Sequence, residues 1–171
     1  MKRNVLLFGL IIGVILCANM VIMVNMMYSD TDFKGNDVVG YAAMIILFSL
    51  IFFGVKNHRD KQLGGHISFG KAFKMGSLIA LVGSTLYVVV WLFYYYLFVP
   101  DFIDVYTDHV LTTCSPEDVQ AKTVQMANFK EMYKNPLFVI LITYSEVLPI
   151  GLVVALVSAL LLKRKPKGSL A

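Results

Sequence analysis

Charge is what this sequence has least of. Asp, Glu, Lys and Arg together make up 15% of its 171 residues, where a soluble domain carries roughly a quarter. With 58% hydrophobic residues and a mean hydropathy of +0.72, that scarcity excludes a disordered chain and argues against a soluble globule. Cysteine is nearly absent. Cys17 and Cys114 cannot build a disulfide scaffold. His58, His66 and His109 are scattered, and no Cys/His spacing fits a metal site, so neither a metal nor another cofactor is expected. No nucleophile elbow or triad is spelled, and the chain is read as a non-enzyme. No stretch alternates apolar and polar residues with period two, which excludes a membrane β-barrel. The net charge of +4 is spread along the chain and forms no single patch, so nucleic acid is excluded as a partner.

What is there is length of apolar run. Four stretches stand out: Val5 to Met27, Val38 to Val55, Met75 to Val99 and Leu137 to Leu162. Each is near or above the roughly 18–20 residues that a helix needs to cross a ~30 Å hydrocarbon core. Backbone polar groups in lipid must pair within their own segment, so the runs are predicted to be helices. The fold class is therefore all-α: an integral membrane four-helix bundle forming one domain over 1–171, with spans at about 5–27, 38–55, 75–99 and 137–162.

The charges orient the spans. Lys2, Arg3, Lys56, Arg59, Lys61, Lys71, Lys74, Lys163, Arg164, Lys165 and Lys167 fall on one side, and Lys34, Lys122, Lys130 and Lys134 on the other. The positive-inside rule puts both termini and the second loop in the cytoplasm. The N-terminal run is too long for a signal-peptide core and no small-x-small site follows it. Leu16, before Cys17, is not the small residue a lipobox needs. The first helix is expected to stay.

The first loop is acidic, with Asp30, Asp32 and Asp37 beside Lys34. In the second, Gly64 and Gly65 form a hinge, followed by Ile67, Ser68, Phe69, Lys71, Phe73 and Lys74. That mixture suits a segment lying in the headgroup region. Gly65 to Lys71 also spells a phosphate-loop spacing, but Ala72 stands where Ser or Thr should hold magnesium and no strand precedes it. The third loop, 100–136, is long enough to need structure of its own. Ser115-Pro116-Glu117-Asp118 reads as a helix start, and Phe102, Val105, Tyr106 and Val110 precede it at loose helical spacing. Two short amphipathic helices are expected there as an external cap, covering the bundle mouth or docking a partner.

Within the spans, small residues recur four apart: Gly9, Gly13 and Cys17; Gly76, Ala80 and Ser84; Gly151, Ala155 and Ala159. They allow close helix approach, inside the bundle or between two copies. Trp91 and Tyr87 lie deeper than the Tyr94–Tyr96 anchors and are read as pointing inward. Glu146 is the one charge in the fourth span. A charged side chain at that depth costs at least ~2.5 kcal/mol on insertion scales, and no Lys or Arg is placed beside it, so it is expected to be protonated. Asn19, Ser49, Ser84, Thr85, Tyr87 and Trp91 are available as neutral partners. Pro149 frees the Ser145 carbonyl and opens a local polar pocket. Either Glu146 ties helices together by hydrogen bonds, in which case Leu in its place destabilises the bundle, or it handles a proton or cation.

Several stretches resemble a known family. They are Tyr41-Ala-Ala-Met-Ile45 leading to Gly54-Val-Lys56 and Arg59-Asp60; Gly64-Gly65 with Ile67-Ser-Phe-Gly-Lys-Ala-Phe73 and Gly76; and Glu146 with Pro149-Ile-Gly-Leu152 before a basic tail. In order and over nearly the whole chain, these are similar to the bacterial membrane proteins grouped as domain of unknown function 4199. The resemblance implies a four-helix inner-membrane protein and supplies no catalytic residue. The expected role is a non-enzymatic scaffold or accessory subunit, whose partners are the lipid bilayer and a protein partner or second copy. The alternative is a small oligomeric transport or channel protein using Glu146. A continuous cavity holding Glu146 and further polar groups favours the alternative; a filled bundle favours the scaffold.

Overall fold

The computed structural model describes residues 1–29 and 37–164. Asp30, Asp32 and Lys34 of the acidic first loop, and Lys165 and Lys167 of the basic tail, lie outside the described residues. Among these residues seven helices run in order: α1 (Lys2–Ser29), α2 (Asp37–Phe48), α3 (Leu50–Gln62), α4 (Phe69–Phe98), α5 (Phe102–Thr113), α6 (Val119–Tyr133) and α7 (Pro136–Leu162). No strand occurs among the described residues; Ile67 and Arg164 form a single backbone bridge. Four segments are long and apolar enough to cross a membrane: Lys2–Ser29, Val39–Gln62, Phe69–Phe98 and Pro136–Leu162. The protein is an all-α membrane protein.

The helix ends follow from local chemistry. The α3 helix stops where Gly64 and Gly65 take φ of +60° and +83°, a region that side chains with a Cβ avoid. There the Leu63 and Gly65 N–H groups both donate to the Arg59 carbonyl, at 3.2 and 3.0 Å. Ser68 caps α4, its Oγ accepting from the Lys71 N–H at 3.4 Å. Asn135 caps α7 with Oδ1 accepting from the Leu137 N–H at 3.0 Å, and Pro136 occupies the first turn, where its missing N–H costs nothing. The second span is interrupted at Ser49. Its N–H is shared between the Ile45 and Ile46 carbonyls at 3.0 and 3.1 Å, and its hydroxyl donates to the Ile46 carbonyl at 2.5 Å. This local side-chain bond tightens the turn and separates α2 from α3.

The α4 helix is the centre of the bundle, with α1 and α7 against it. Lipid tails are as apolar as leucine, so close backbone approach and van der Waals contact hold these helices together. A Cβ at Gly9 would stand 2.6 Å from Val82 Cβ; at Gly76, 2.9 Å from Ala155 Cβ; and at Gly151, 2.8 Å from Ala80 Cβ. The glycines of all three small-residue stripes are thus taken up inside the chain. Ile12, Phe48, Ile51, Ile79 and Val147 are fully buried around these crossings and fill one half of the bundle.

That half ends in the basic residues. The Arg59 guanidinium donates to the Leu162 carbonyl at 3.3 Å, satisfying a terminal carbonyl of α7. Ile67 and Arg164 exchange backbone bonds of 3.2 and 2.9 Å. The N-terminal ammonium donates to Gln62 Oε1 at 3.2 Å, so the start of α1 lies against the end of α3 here.

The opposite end is covered by α5 and α6. A second core joins them to the bundle: Met20 and Val24 from α1, Trp91 and Tyr95 from α4, Ile103 from α5, Tyr133 from α6 and Val139 from α7. Tyr95 and Tyr133 meet edge to face at 5.4 Å and 82°. The Tyr28 hydroxyl donates to Asp101 Oδ1 at 2.8 Å, and Lys130 pairs with Asp104 across the two cap helices. The α6 helix begins at Val119, later than the Ser115-Pro116 start expected from sequence. Residues 115–118 close instead as a turn, with the Asp118 N–H donating to the Ser115 carbonyl at 2.9 Å and the Ser115 hydroxyl to the Asp118 carboxylate at 2.8 Å.

Candidate functional site

Between the cap and the half of the bundle beneath it lies a cavity of about 340 Å³. Every helix except α3 contributes to its wall. From α1 come Asn19, Met20, Met23 and Val24; from α2, Gly40, Tyr41 and Met44; from α4, Tyr87 and Trp91; from α7, Thr143 and Glu146. The cap supplies Phe102 and Tyr106 from α5, and Phe129 and Tyr133 from α6. The periodicities explain the placement: 87 and 91 are one turn apart on α4, as are 143 and 146 on α7.

Glu146 is the only acidic residue on this wall among the described residues, and no Lys, Arg or His lines it. Its side chain is accessible and makes no hydrogen bond or ion pair with a described residue. Two of the neighbouring polar groups on α7 are otherwise engaged. The Thr143 hydroxyl donates to the Val139 carbonyl at 2.7 Å. The Tyr144 hydroxyl donates to Thr85 Oγ1 at 2.8 Å. Tyr133, in the cap, is buried, and this burial, reinforced by the Glu146 carboxylate, raises its phenol above the ordinary range. Tyr133 therefore remains a neutral hydroxyl at the cavity wall.

The aromatic part of the wall is fixed by ring contacts. Phe102 meets Trp91 edge to face at 4.8 Å and 81°, and Phe129 lies 4.6 Å from Tyr133. Trp91 is only 6% exposed. The cap therefore holds its rings by packing against α4, leaving their remaining faces to the cavity.

Of the residues singled out in the sequence, Glu146, Asn19, Tyr87 and Trp91 line this one cavity. Pro149, although only three residues beyond Glu146, lines a different hollow. That second cavity, about 590 Å³, lies between α2–α3 and α7 and is walled by apolar side chains with Ser49 and Ser158 among them. Ser84 is fully buried and Thr85 is paired with Tyr144, so neither serves Glu146. Gly64, Gly65, Ser68, Phe69 and Lys71 sit together at the basic end, far along α4 from the cavity. There the glycines end α3, Ser68 caps α4, and Phe69 stacks on Phe73 at 5.9 Å and 2°. Ile67 beside them is 3% exposed and belongs to the main core. Cys17 and Cys114 are free thiols. No group of three His, Cys, Asp or Glu residues among those described could hold a metal ion.

Sequence reasoning missed Thr143, Tyr41 and the four cap aromatics. Thr143 had a signal, since it lies one turn before Glu146 on the same face. Phe102, Tyr106, Phe129 and Tyr133 fall at helical spacing in the segment expected to cover the bundle mouth; that they share a cavity with Glu146 follows only from how the two short helices fold back onto the bundle.

A family model described as "Protein of unknown function (DUF4199)" matches residues 7–164. Comparison with curated proteins and with solved structures gives no match.

Proposed function

The chain belongs to that family, and from this premise we propose that it is a multi-pass membrane protein of the transport type, holding a small ligand in the cap-end cavity with Glu146 as the group that handles a proton or cation. One observation carries the reading: a carboxyl group without a hydrogen-bond or ion-pair partner among the described residues, open to a cavity of about 340 Å³ in which Asn19, Tyr87, Trp91 and Thr143 also stand. A carboxyl group placed within a span without a partner is expensive, and such groups mark ion or substrate pathways. The volume lies at the lower end of the roughly 300–1,000 Å³ of small-molecule sites.

The Lys and Arg distribution supports a cytoplasmic position for the basic end in a bacterial inner membrane, which turns the cap and its cavity outward. The packed half around Gly76 and Gly151 closes the way to the cytoplasm. Passage therefore requires helices to shift there, or a second copy, and the described arrangement corresponds to an outward-open holding state. No bond is made or broken in this proposal. The same packed half is what supports the second reading, a scaffold for a protein or lipid partner.

The test is thiol access. In a protein carrying Cys17→Ser and Cys114→Ser, Asn19→Cys is expected to react with a small impermeant thiol reagent from the cap side, while Ser84→Cys, at a fully buried position, does not. Equal silence of both positions would remove the cavity reading and leave the scaffold.

A further inference from the structure

The cavity wall pairs one carboxyl group with an unusual density of aromatic rings. Tyr87, Trp91, Phe102, Tyr106, Phe129 and Tyr133 surround the space into which Glu146 opens. We infer that the ligand is a small organic cation, an ammonium group seated against Glu146 with its apolar substituents among these rings. The inference rests on the cavity reading above and adds the class of ligand.

Three features select that class. First, aromatic faces carry negative charge density and attract a cation, most of all when both are withdrawn from water. Second, the wall offers an anion no donor of positive charge, since no Lys, Arg or His lines it among the described residues. Third, a bare metal or alkali ion needs several oxygen ligands. Here Glu146 is the only charged oxygen ligand on the wall among the described residues, the other oxygens being the neutral groups of Asn19, Thr143 and the tyrosines, and no group of three His, Cys, Asp or Glu residues that could hold a metal exists among the described residues. An ammonium ion with carbon substituents satisfies both parts of the wall, since its charge needs one counter-charge and its substituents need apolar contact.

Trp91 is the only tryptophan of the chain and stands on the wall, so its fluorescence reports occupancy directly. The experiment titrates the full chain in lipid nanodiscs with tetramethylammonium, choline and tetraethylammonium. The controls are dimethylbutanol, the neutral carbon isostere of choline, and the dimethylbutyrate anion. At least one cation is expected to bind at least tenfold more tightly than dimethylbutanol, and the anion is expected not to bind. Glu146→Gln should erase that tenfold preference. Phe102→Leu keeps apolar bulk but removes a ring face, so it should weaken the cation several-fold and leave dimethylbutanol unchanged; this variant keeps the test valid should Glu146→Gln fail to fold. A bound cation should also slow thiol modification of Asn19→Cys. If Asn19→Cys reacts but no cation is preferred over the neutral isostere, the cation inference is overturned and the cavity reading stands. If Asn19→Cys is unreactive, both fail.

Discussion

Replacing Glu146 by leucine separates a structural carboxyl group from a functional one. Glu146 stands ten residues after Pro136 on α7, about 15 Å along the axis at ~1.5 Å per residue, and so near the middle of a span. On insertion scales a charged residue at a helix centre costs ~2.5–3.5 kcal/mol and leucine gains ~0.3–0.6, so full exposure to lipid would make the exchange worth about 3 kcal/mol. Glu146 instead opens into a cavity, and its carboxyl group makes no hydrogen bond with a described residue whose loss would offset the gain. We expect Glu146→Leu to stabilise the fold by on the order of 1 kcal/mol while removing ligand binding, the trade seen where function costs stability. The sequence left Glu146 as either a tie between helices, for which leucine would destabilise the bundle, or a group that handles a proton or cation; Glu146 makes no hydrogen bond with a described residue. Equilibrium unfolding in mixed micelles, with far-ultraviolet circular dichroism as the readout, measures the difference. A loss of 2 kcal/mol or more (roughly the penalty for leaving a buried polar partner unsatisfied), with Glu146→Gln retaining full stability, would refute the reasoning and make the carboxyl group structural.

Gly76→Val and Gly151→Val should each destabilise the bundle by ~1–3 kcal/mol, since their side chains must displace Ala155 and Ala80, whereas Gly40→Ala, with nothing within 4 Å, should leave the same unfolding curve unchanged. Trp91→Ala should cost ~3–5 kcal/mol and loosen the cap, read as faster proteolysis between Asp101 and Lys134. Lys130→Ala removes an exposed ion pair and should leave that proteolysis rate unchanged. Reporter fusions should read cytoplasmic after Lys61 and after Lys163 and external within 101–134; a cytoplasmic signal from the cap would overturn the orientation.

The architecture was legible in the sequence because the bilayer writes a simple code. Span length, the shortage of charge and the period of the small residues follow from hydrocarbon thickness and helix geometry, and these follow without knowledge of any neighbour. Glu146 was legible for the same reason: a lone charge in an apolar run is conspicuous. So were Asn19, Tyr87 and Trp91 as polar or amphipathic groups within spans, though not as a set. The tertiary structure alone decided that they share a cavity, that Pro149 and Ser49 serve another, and that Ser84 and Thr85 serve neither. Which face of α7 turns toward α4 is set by the Gly76–Ala155 and Ala80–Gly151 contacts. One turn of the helix then separates a carboxyl group that opens into an aromatic chamber from a proline that faces an apolar groove. The cap was decided even more remotely. Phe102 and Tyr133 reach Trp91 and Tyr95 only because two short helices fold back over the bundle, and contacts between residues distant in sequence leave no periodic trace in the chain.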